Sequence, residues 1–193
     1  FVPSQGLLDT YTDKDNDLRY HYHMVQNYSL RFSSVDPAFF YPGYMFFYDD
    51  VLPSGPSVSE MILIKAECQA RQGDYAEAMK TVNVLRVKRI ATSAYVPLTA
   101  TSQADALKQI LAERRREMPF VMRWYDIRRL NFNDDSSDDI TLTKTFYNFN
   151  TTTVLTGDGE RTYTLAKDSR RYAMPIPPRE VTITNGNIKQ NTY

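Results

Sequence analysis

Two helical runs separated by one short break constrain this chain more than any other feature. Ser57 and Glu60 form a capping-box pair, in which the hydroxyl accepts from a free backbone N–H and the carboxylate reaches back. An apolar run from Met61 to Ala70 follows, and its apolar residues occupy most of the helix circumference, which predicts a buried helix. Gly73 ends it, and Asp74 with Glu77 repeats the capping signal for a second helix over about Tyr75 to Ile90. Tyr75, Ala78, Met79, Val82 and Leu85 share one face of that helix. So short a turn makes the two helices antiparallel neighbours.

A third helix is predicted from Ser102, with Asp105 three residues on and Leu107, Ile110, Leu111 and Met118 along one stripe. Pro119 removes a backbone donor and interrupts it, and a shorter helix, Phe120 to Leu130, follows. The flanks read differently. Residues 1–56 are irregular with short strands, acidic at Asp13 to Asp17 and then dense in aromatic residues, Pro and Gly. Residues 131–193 are loops with strand segments around Thr141 to Leu155 and Tyr163 to Leu165, a Gly157-Asp158-Gly159 turn, and a Pro-rich tail with one helical turn near Pro178. The fold class expected is mainly α: tetratricopeptide-like helix pairs over 57–130, with long ordered loops and a few short strands.

Charge excludes several partners. Lys plus Arg and Asp plus Glu both number 23, so no overall field favours nucleic acid, an anionic membrane or a polyanion. Composition instead points to rings, since 14 Tyr and 10 Phe stand against one Trp, and a tyrosine offers a flat apolar face with a hydroxyl at its edge. The single cysteine, Cys68, rules out an internal disulfide and reads as a buried inert thiol. No apolar run is long enough to span a membrane. Phe1-Val2-Pro3-Ser4 reads as a chain begun in mid-protein, with targeting sequence expected upstream.

The aromatic run Phe39-Phe40-Tyr41, Tyr44, Phe46-Phe47-Tyr48 is the best local candidate for ligand contact. Sugar rings present C–H faces that stack on aromatic planes, and Pro- and Gly-flanked loops hold such planes stiffly. Packing of half these rings beneath the loop is the equal alternative. Tyr41, Tyr44, Phe47 and Tyr48 are therefore named as ligand contacts, with Arg19 as a companion for hydroxyls or a carboxylate. Glu113 and Glu117 share a helix face, where Arg116 can pair with Glu113 and Arg114 with Glu117. Crowding by arginines keeps such carboxylates ionised, which favours a structural network over glycosidase catalysis. Trp124 reads as core filling and Asp126 as an arginine partner. His21 and His23 would share a face of a strand, but nothing nearby completes a metal site. Asp13-x-Asp15-x-Asp17 opens like a calcium loop, yet Leu18 replaces its glycine and Met24 its closing glutamate. No catalytic residue, metal or cofactor is assigned.

Three stretches, in order and spacing, resemble the C-terminal half of the SusD/RagB family. The first runs from Glu60 through Glu67 into Gly73-Asp74-Tyr75-Ala76-Glu77-Ala78. The second is Glu113-Arg114-Arg115-Arg116-Glu117-Met118-Pro119-Phe120 followed by Arg123-Trp124-Tyr125-Asp126-Ile127-Arg128-Arg129, similar to the family's ERRxEL and RWxDLRR segments. The third is Pro175-Ile176-Pro177 to Glu180, then Gln190-Asn191 and Tyr193. Family members commonly carry Glu-Gly between the Phe and the Arg-Trp, where this chain has only Val121 and Met122. The resemblance covers about Ser57 to Tyr193 and marks Glu113, Arg115, Glu117, Arg123, Trp124, Asp126 and Arg128 as its structural motif. It implies a SusD-like fold and a lipid-anchored protein on the outer-membrane surface of Bacteroidetes-type bacteria. Such a protein captures glycans or peptides without catalysis and sits on a SusC-like TonB-dependent transporter. It also implies an absent N-terminal portion, so that a helix face left bare would associate with that portion or with a second copy. A protein-binding helical scaffold and a glycoside hydrolase are the competing readings.

Overall fold

The computed structural model describes residues 1–32, 35–47, 56–151 and 153–192. In chain order it contains α1 (Gln5–Leu8), α2 (Leu18–His23), β1 (Met24–Gln26), β2 (Ser29–Phe32), β3 (Val35–Phe40), β4 (Tyr44–Phe46), α3 (Val58–Arg71), α4 (Tyr75–Arg86), α5 (Gln103–Glu117) and α6 (Val121–Asn131). β5 (Leu142–Tyr147), β6 (Phe149–Asn150), β7 (Thr153–Val154), β8 (Glu160–Leu165) and α7 (Pro178–Ile183) complete it. Among the described residues strands pair in twos: β1 with β4, β2 with β3, β5 with β8 and β6 with β7. The mainly helical, SusD-like architecture expected from sequence is the one observed.

Two compact units divide the chain, one of Phe1–Arg123 with Thr145–Arg161, the other of Trp124–Lys144 with Thr162–Tyr193. The centre of the first is the α3/α4/α5 cluster, where Leu63, Ala66, Ala70, Ala78, Met79, Val82, Leu85, Ala106 and Ile110 are buried. Four of these nine are alanines, which lets helix backbones approach closely, and Leu63, Val82 and Ile110 fill the layers between them.

The caps start the helices as their residues dictate, with one difference. Ser57 Oγ accepts from the Glu60 N–H at 3.2 Å, Asp74 Oδ1 from Glu77 at 3.2 Å and Ser102 Oγ from Asp105 at 3.1 Å. The Glu60 carboxylate, however, takes a hydrogen bond from Arg114 Nη2 at 3.2 Å. A charge-assisted bond to the buried Arg114 guanidinium outcompetes a reach back to the Ser57 amide. Gly73 closes α3 at φ +92°, while a Cβ there would meet nothing within 4 Å, so backbone conformation alone calls for glycine.

α3 is not buried all round. Val58, Met61 and Ile64 are 78%, 57% and 40% exposed, and Cys68 is exposed as well. The expectation of an enclosed thiol is therefore corrected: Cys68 lies on the face opposite Leu63, Ala66 and Ala70, which α4 and α5 cover.

Five consecutive residues of α5 act as a hub. A helix turns about 100° per residue, so neighbours in sequence point to different neighbours in space. Glu113, fully buried, accepts from Arg19 at 2.8 Å, Arg86 at 2.9 Å and Arg116 at 2.6 Å. Arg114 turns to Glu60 on α3 rather than to Glu117. Arg115 donates to Ser4 Oγ at 3.3 Å. Arg116 also donates to the Thr10 carbonyl, and its own carbonyl accepts from Tyr11 Oη at 3.2 Å. Glu117 accepts from Arg89 Nη2 at 2.6 Å and from Arg19 at 3.0 Å. Asp17 caps α2 and binds Arg19 twice, at 3.0 and 2.8 Å, while backbone bonds Leu18 N to Arg89 O and Ala91 N to Asn16 O tie this segment to the end of α4.

The second unit contains the remainder of α6 and the tail. Trp124 is half-buried, not the core-filling ring expected, and stacks on Tyr172 with centroids 5.2 Å apart, while buried Asp126 accepts from Arg129 at 3.2 Å. Asn131, last residue of α6, accepts from Ile140 N at 2.6 Å and donates to Ile140 O at 2.9 Å and Tyr172 Oη at 3.2 Å. Gln190 does the same for the proline-led tail, taking the Ile176 N–H at 2.8 Å and giving to its carbonyl at 2.7 Å. Each amide stands in for the neighbouring strand these backbones lack. α7 begins with Pro178 at its first position. Among the described residues no helix is long and apolar enough to cross a membrane.

Two outcomes follow from these contacts. Burial would raise the Glu113 carboxyl, but Arg19 and Arg116, with Arg86, overturn that and hold it at about 2, against an ordinary 4.5. A depressed folded-state pKa contributes stability that is complete above the ordinary value and lost as pH falls toward 2, on the order of 3 kcal/mol here. Glu113→Gln should cost about 3–5 kcal/mol at pH 7 by urea unfolding and should flatten the acid dependence between about pH 4.5 and 2. Asn131→Ala should remove about 2–4 kcal/mol from the second unit and abolish protection of the Ile140 amide in hydrogen exchange. An unchanged exchange rate there would refute this role.

Candidate functional site

The aromatic region is built on one long hairpin with a bulge. Met24 faces Phe46, Val25 faces Met45 and Gln26 faces Tyr44; further out, Ser29 faces Phe40 and Leu30 faces Phe39. Between these ladders the bonds Asn27 N to Gly43 O and Tyr41 N to Tyr28 O carry the pairing across one extra residue on the second strand. Asn27 adopts φ +51°, a left-handed conformation that asparagine tolerates better than most residues.

The bulge divides the rings into inner and outer sets. Phe46 is buried with Leu7, Leu8, Tyr11 and Met24 and stacks on Phe120 at 4.8 Å. Tyr41 is only 3% exposed and meets the edge of Tyr147 at 6.1 Å. Tyr44 is half-buried and joins a ladder through Tyr20 to Tyr11, at 6.0 and 5.3 Å. Phe47 and Tyr28, both half-buried, form a close pair at 4.4 Å. Tyr28 was not among the residues singled out from sequence. Its position opposite Tyr41 is visible only once the register is known.

Of the expected ligand contacts, then, Tyr44 and Phe47 reach the surface in part, Tyr41 lies in the interior and Tyr48 lies outside the described residues. Arg19 is 7% exposed, and carboxylates engage its guanidinium at Nε, Nη1 and Nη2. That places it within the α5 hub, with each guanidinium nitrogen engaged by a carboxylate of the chain itself. Burial works against its charge, but Asp17 and Glu113 more than reverse this and raise its pKa further above the arginine value. His21 and His23 sit on α2, not on a strand, and two residues along a helix turn about 200°, which sends the rings apart. His23 packs on Phe46 at 5.4 Å and His21 on Tyr22 at 5.0 Å.

Glu113, Arg115 and Glu117 belong to the hub already described, Arg123 is half-buried near the start of α6, and Arg128 is exposed on the same helix. Burial would raise the Glu117 carboxyl too, but its bond to Arg89 and the charge of Arg19 pull it down, so both hub carboxylates stay ionised. A general acid for glycoside cleavage needs the opposite shift.

No curated protein matches the chain. The sequence model of the SusD family matches residues 58–193, from the first residue of α3 through the hub and the tail whose side-chain amides replace strand partners. With that match spanning most of its length, and with the paired helices that the motifs predicted in place, this chain belongs to the SusD family.

Proposed function

We propose that this chain is a non-catalytic binder of nutrient glycans, displayed at the outer-membrane surface through a lipid anchor and serving a TonB-dependent transporter. The Tyr28–Phe47 pair, 4.4 Å between centroids and half-buried, carries the reading for the binding site. Two rings held by hairpin pairing offer planes to sugar C–H faces with little ordering cost, because the backbone beneath them is already fixed. Tyr44 adds a hydroxyl-bearing ring on the same hairpin, and Tyr22 on α2, the helix that leads into it, is 70% exposed. Support for the absence of catalysis comes from Glu113 and Glu117, which are neutralised by arginines and enclosed. Family membership supports the surface location and the transporter partnership.

Calorimetry against a panel of neutral oligosaccharides, with retention on immobilised polysaccharides, tests this. At least one glycan should bind, and Phe47→Ala should weaken it about tenfold, the scale of one lost ring contact. Tyr125→Ala, at an exposed ring on α6, should leave binding unchanged. Full-strength binding by a folded Tyr28→Ala/Phe47→Ala variant would remove the site. Co-purification with a transporter in the absence of any glycan or peptide binding would favour the scaffold reading instead. Tyr41→Ala should behave differently from Phe47→Ala: its burial predicts a loss of about 3–5 kcal/mol in urea unfolding.

A further inference from the structure

We propose that a cavity of about 250 Å³ in the first unit is a second carbohydrate site, preformed for one neutral, ring-shaped sugar unit. Two stretches of chain supply most of its lining, and they differ in kind. Residues 10–17 bring Thr12, Asp13 and Asp17, while residues 94–98 bring Val96, Pro97 and Leu98. A pyranose divides the same way, with hydroxyls around its edge and C–H groups on its faces, so one ligand satisfies the polar and the apolar lining at once.

Charge decides against an ionic ligand. Asp13 and Asp17 line the cavity together with Arg86 and Arg116, two of each sign. A carboxylate or an ammonium brought there would add a charge that nothing balances, whereas a neutral hydroxyl needs only a donor or an acceptor. Three of the four lining charges are already committed within the chain. Both oxygens of Asp17 accept from Arg19, Arg116 gives Nη1 to the Thr10 carbonyl and Nη2 to Glu113, and Arg86 gives Nη1 to Glu113. Asp13 differs. It is exposed, and its two oxygens each accept from Asn16 Nδ2 at 3.0 Å and keep lone pairs for a hydroxyl donor. Thr12, exposed and next to it in sequence, adds a hydroxyl that can give or take.

Both stretches are held before any ligand arrives. Asn83 donates to Leu98 O and accepts from Leu98 N, both at 2.9 Å, and Tyr95 Oη donates to the Asn83 carbonyl at 3.4 Å. In the polar stretch Asp17 N donates to Asp13 O at 3.0 Å and Ala91 N to Asn16 O at 2.9 Å. Little ordering is then lost on binding, which matters most for a ligand of few atoms. The volume falls below the ~300–1,000 Å³ of clefts that take drug-sized molecules, which suits one sugar unit rather than a chain. The cavity shares no lining residue with the Tyr28–Phe47 pair, so the two sites stand or fall separately.

Amide chemical shifts of the 193-residue protein, titrated with D-glucose, D-galactose and D-mannose, test this against three comparisons. Glycerol has hydroxyls without a ring face, and D-glucuronate and D-glucosamine have the ring with a charge. At least one neutral hexose should shift the amides of Thr12, Asp13, Val96 and Leu98 saturably, with each comparison compound at least about tenfold weaker. Asp13→Ala should weaken that hexose about tenfold, the scale of one hydrogen bond to a charged acceptor, and Val96→Ser about threefold. Both positions are exposed and take no part in the hub. Phe47→Ala should leave the shifts unchanged. No saturable shift from any of the three hexoses, an equal response to any comparison compound, or a hexose indifferent to either cavity substitution would each overturn the assignment. Loss of the shifts in Phe47→Ala would do the same by assigning the sugar to the hairpin. Should Asp13→Ala fail to fold, the response of Val96→Ser decides.

Discussion

Enclosing the Glu113 carboxylate would cost several kcal/mol if it were alone, and the chain offsets that by bringing Arg19, Arg86 and Arg116 within 2.9 Å. Those three arginines come from α2, α4 and α5 itself, so the charge is neutralised only when the amino-terminal segment and the helical hairpin are both in place. The same turn of α5 sends Arg114 to α3, Arg115 to Ser4 and Glu117 to Arg89. A run of five charged residues thus becomes a set of five directions. Arginine suits this role better than lysine because its planar fork reaches several acceptors at once, as Arg19 does with Asp17, Glu113 and Glu117.

From that hub the constraint passes outward to the rings. Arg19 and Asp17 hold α2 against α5, α2 ends at His23, and β1 begins at the next residue. The hairpin therefore leaves the helical unit at a set place, with Phe46 wedged against Phe120 and Met24 beside it. A ring at the surface of a free loop would lose conformational entropy on meeting a sugar. Tyr28 and Phe47 stand on paired backbone, where much of that ordering is complete before any ligand arrives.

What was legible in the sequence follows the range of each interaction. Caps at Ser57, Asp74 and Ser102 and the stripes behind them are local, so α3, α4 and α5 could be placed to within a residue or two at most ends. The six residues of α2 could not, since Leu18 to His23 carries no apolar stripe and depends on an arginine whose partner lies 94 positions away. Arg19 read as a surface cation for that reason. An all-round apolar helix such as α3 hides which face is covered, and Cys68 fell on the bare one. In the aromatic run, composition gave the rings but not their sides. A single extra residue near Tyr41 shifts the register and separates the enclosed Tyr41 from the accessible Phe47. Asn131 was passed over as part of a polar stretch, although an asparagine closing a helix before a loop is where a side-chain amide can replace a missing strand.

A capture protein that hands its cargo on must let go of it, and on the proposed function the division between hub and hairpin serves that need. Ion pairs in the interior are strong, directional and insensitive to salt, which suits a scaffold that must not move. Ring stacking at the surface is weak per contact and tolerant of orientation, so affinity accumulates over several rings and declines as each is released. The hub charges are enclosed while Tyr28, Phe47 and Tyr22 reach the surface, the reverse of the usual disposition for these residues. On that proposal, enclosing Glu113 and Glu117 keeps these two carboxylates out of reach of a glycan on the hairpin and leaves the rings there to interactions that exchange readily.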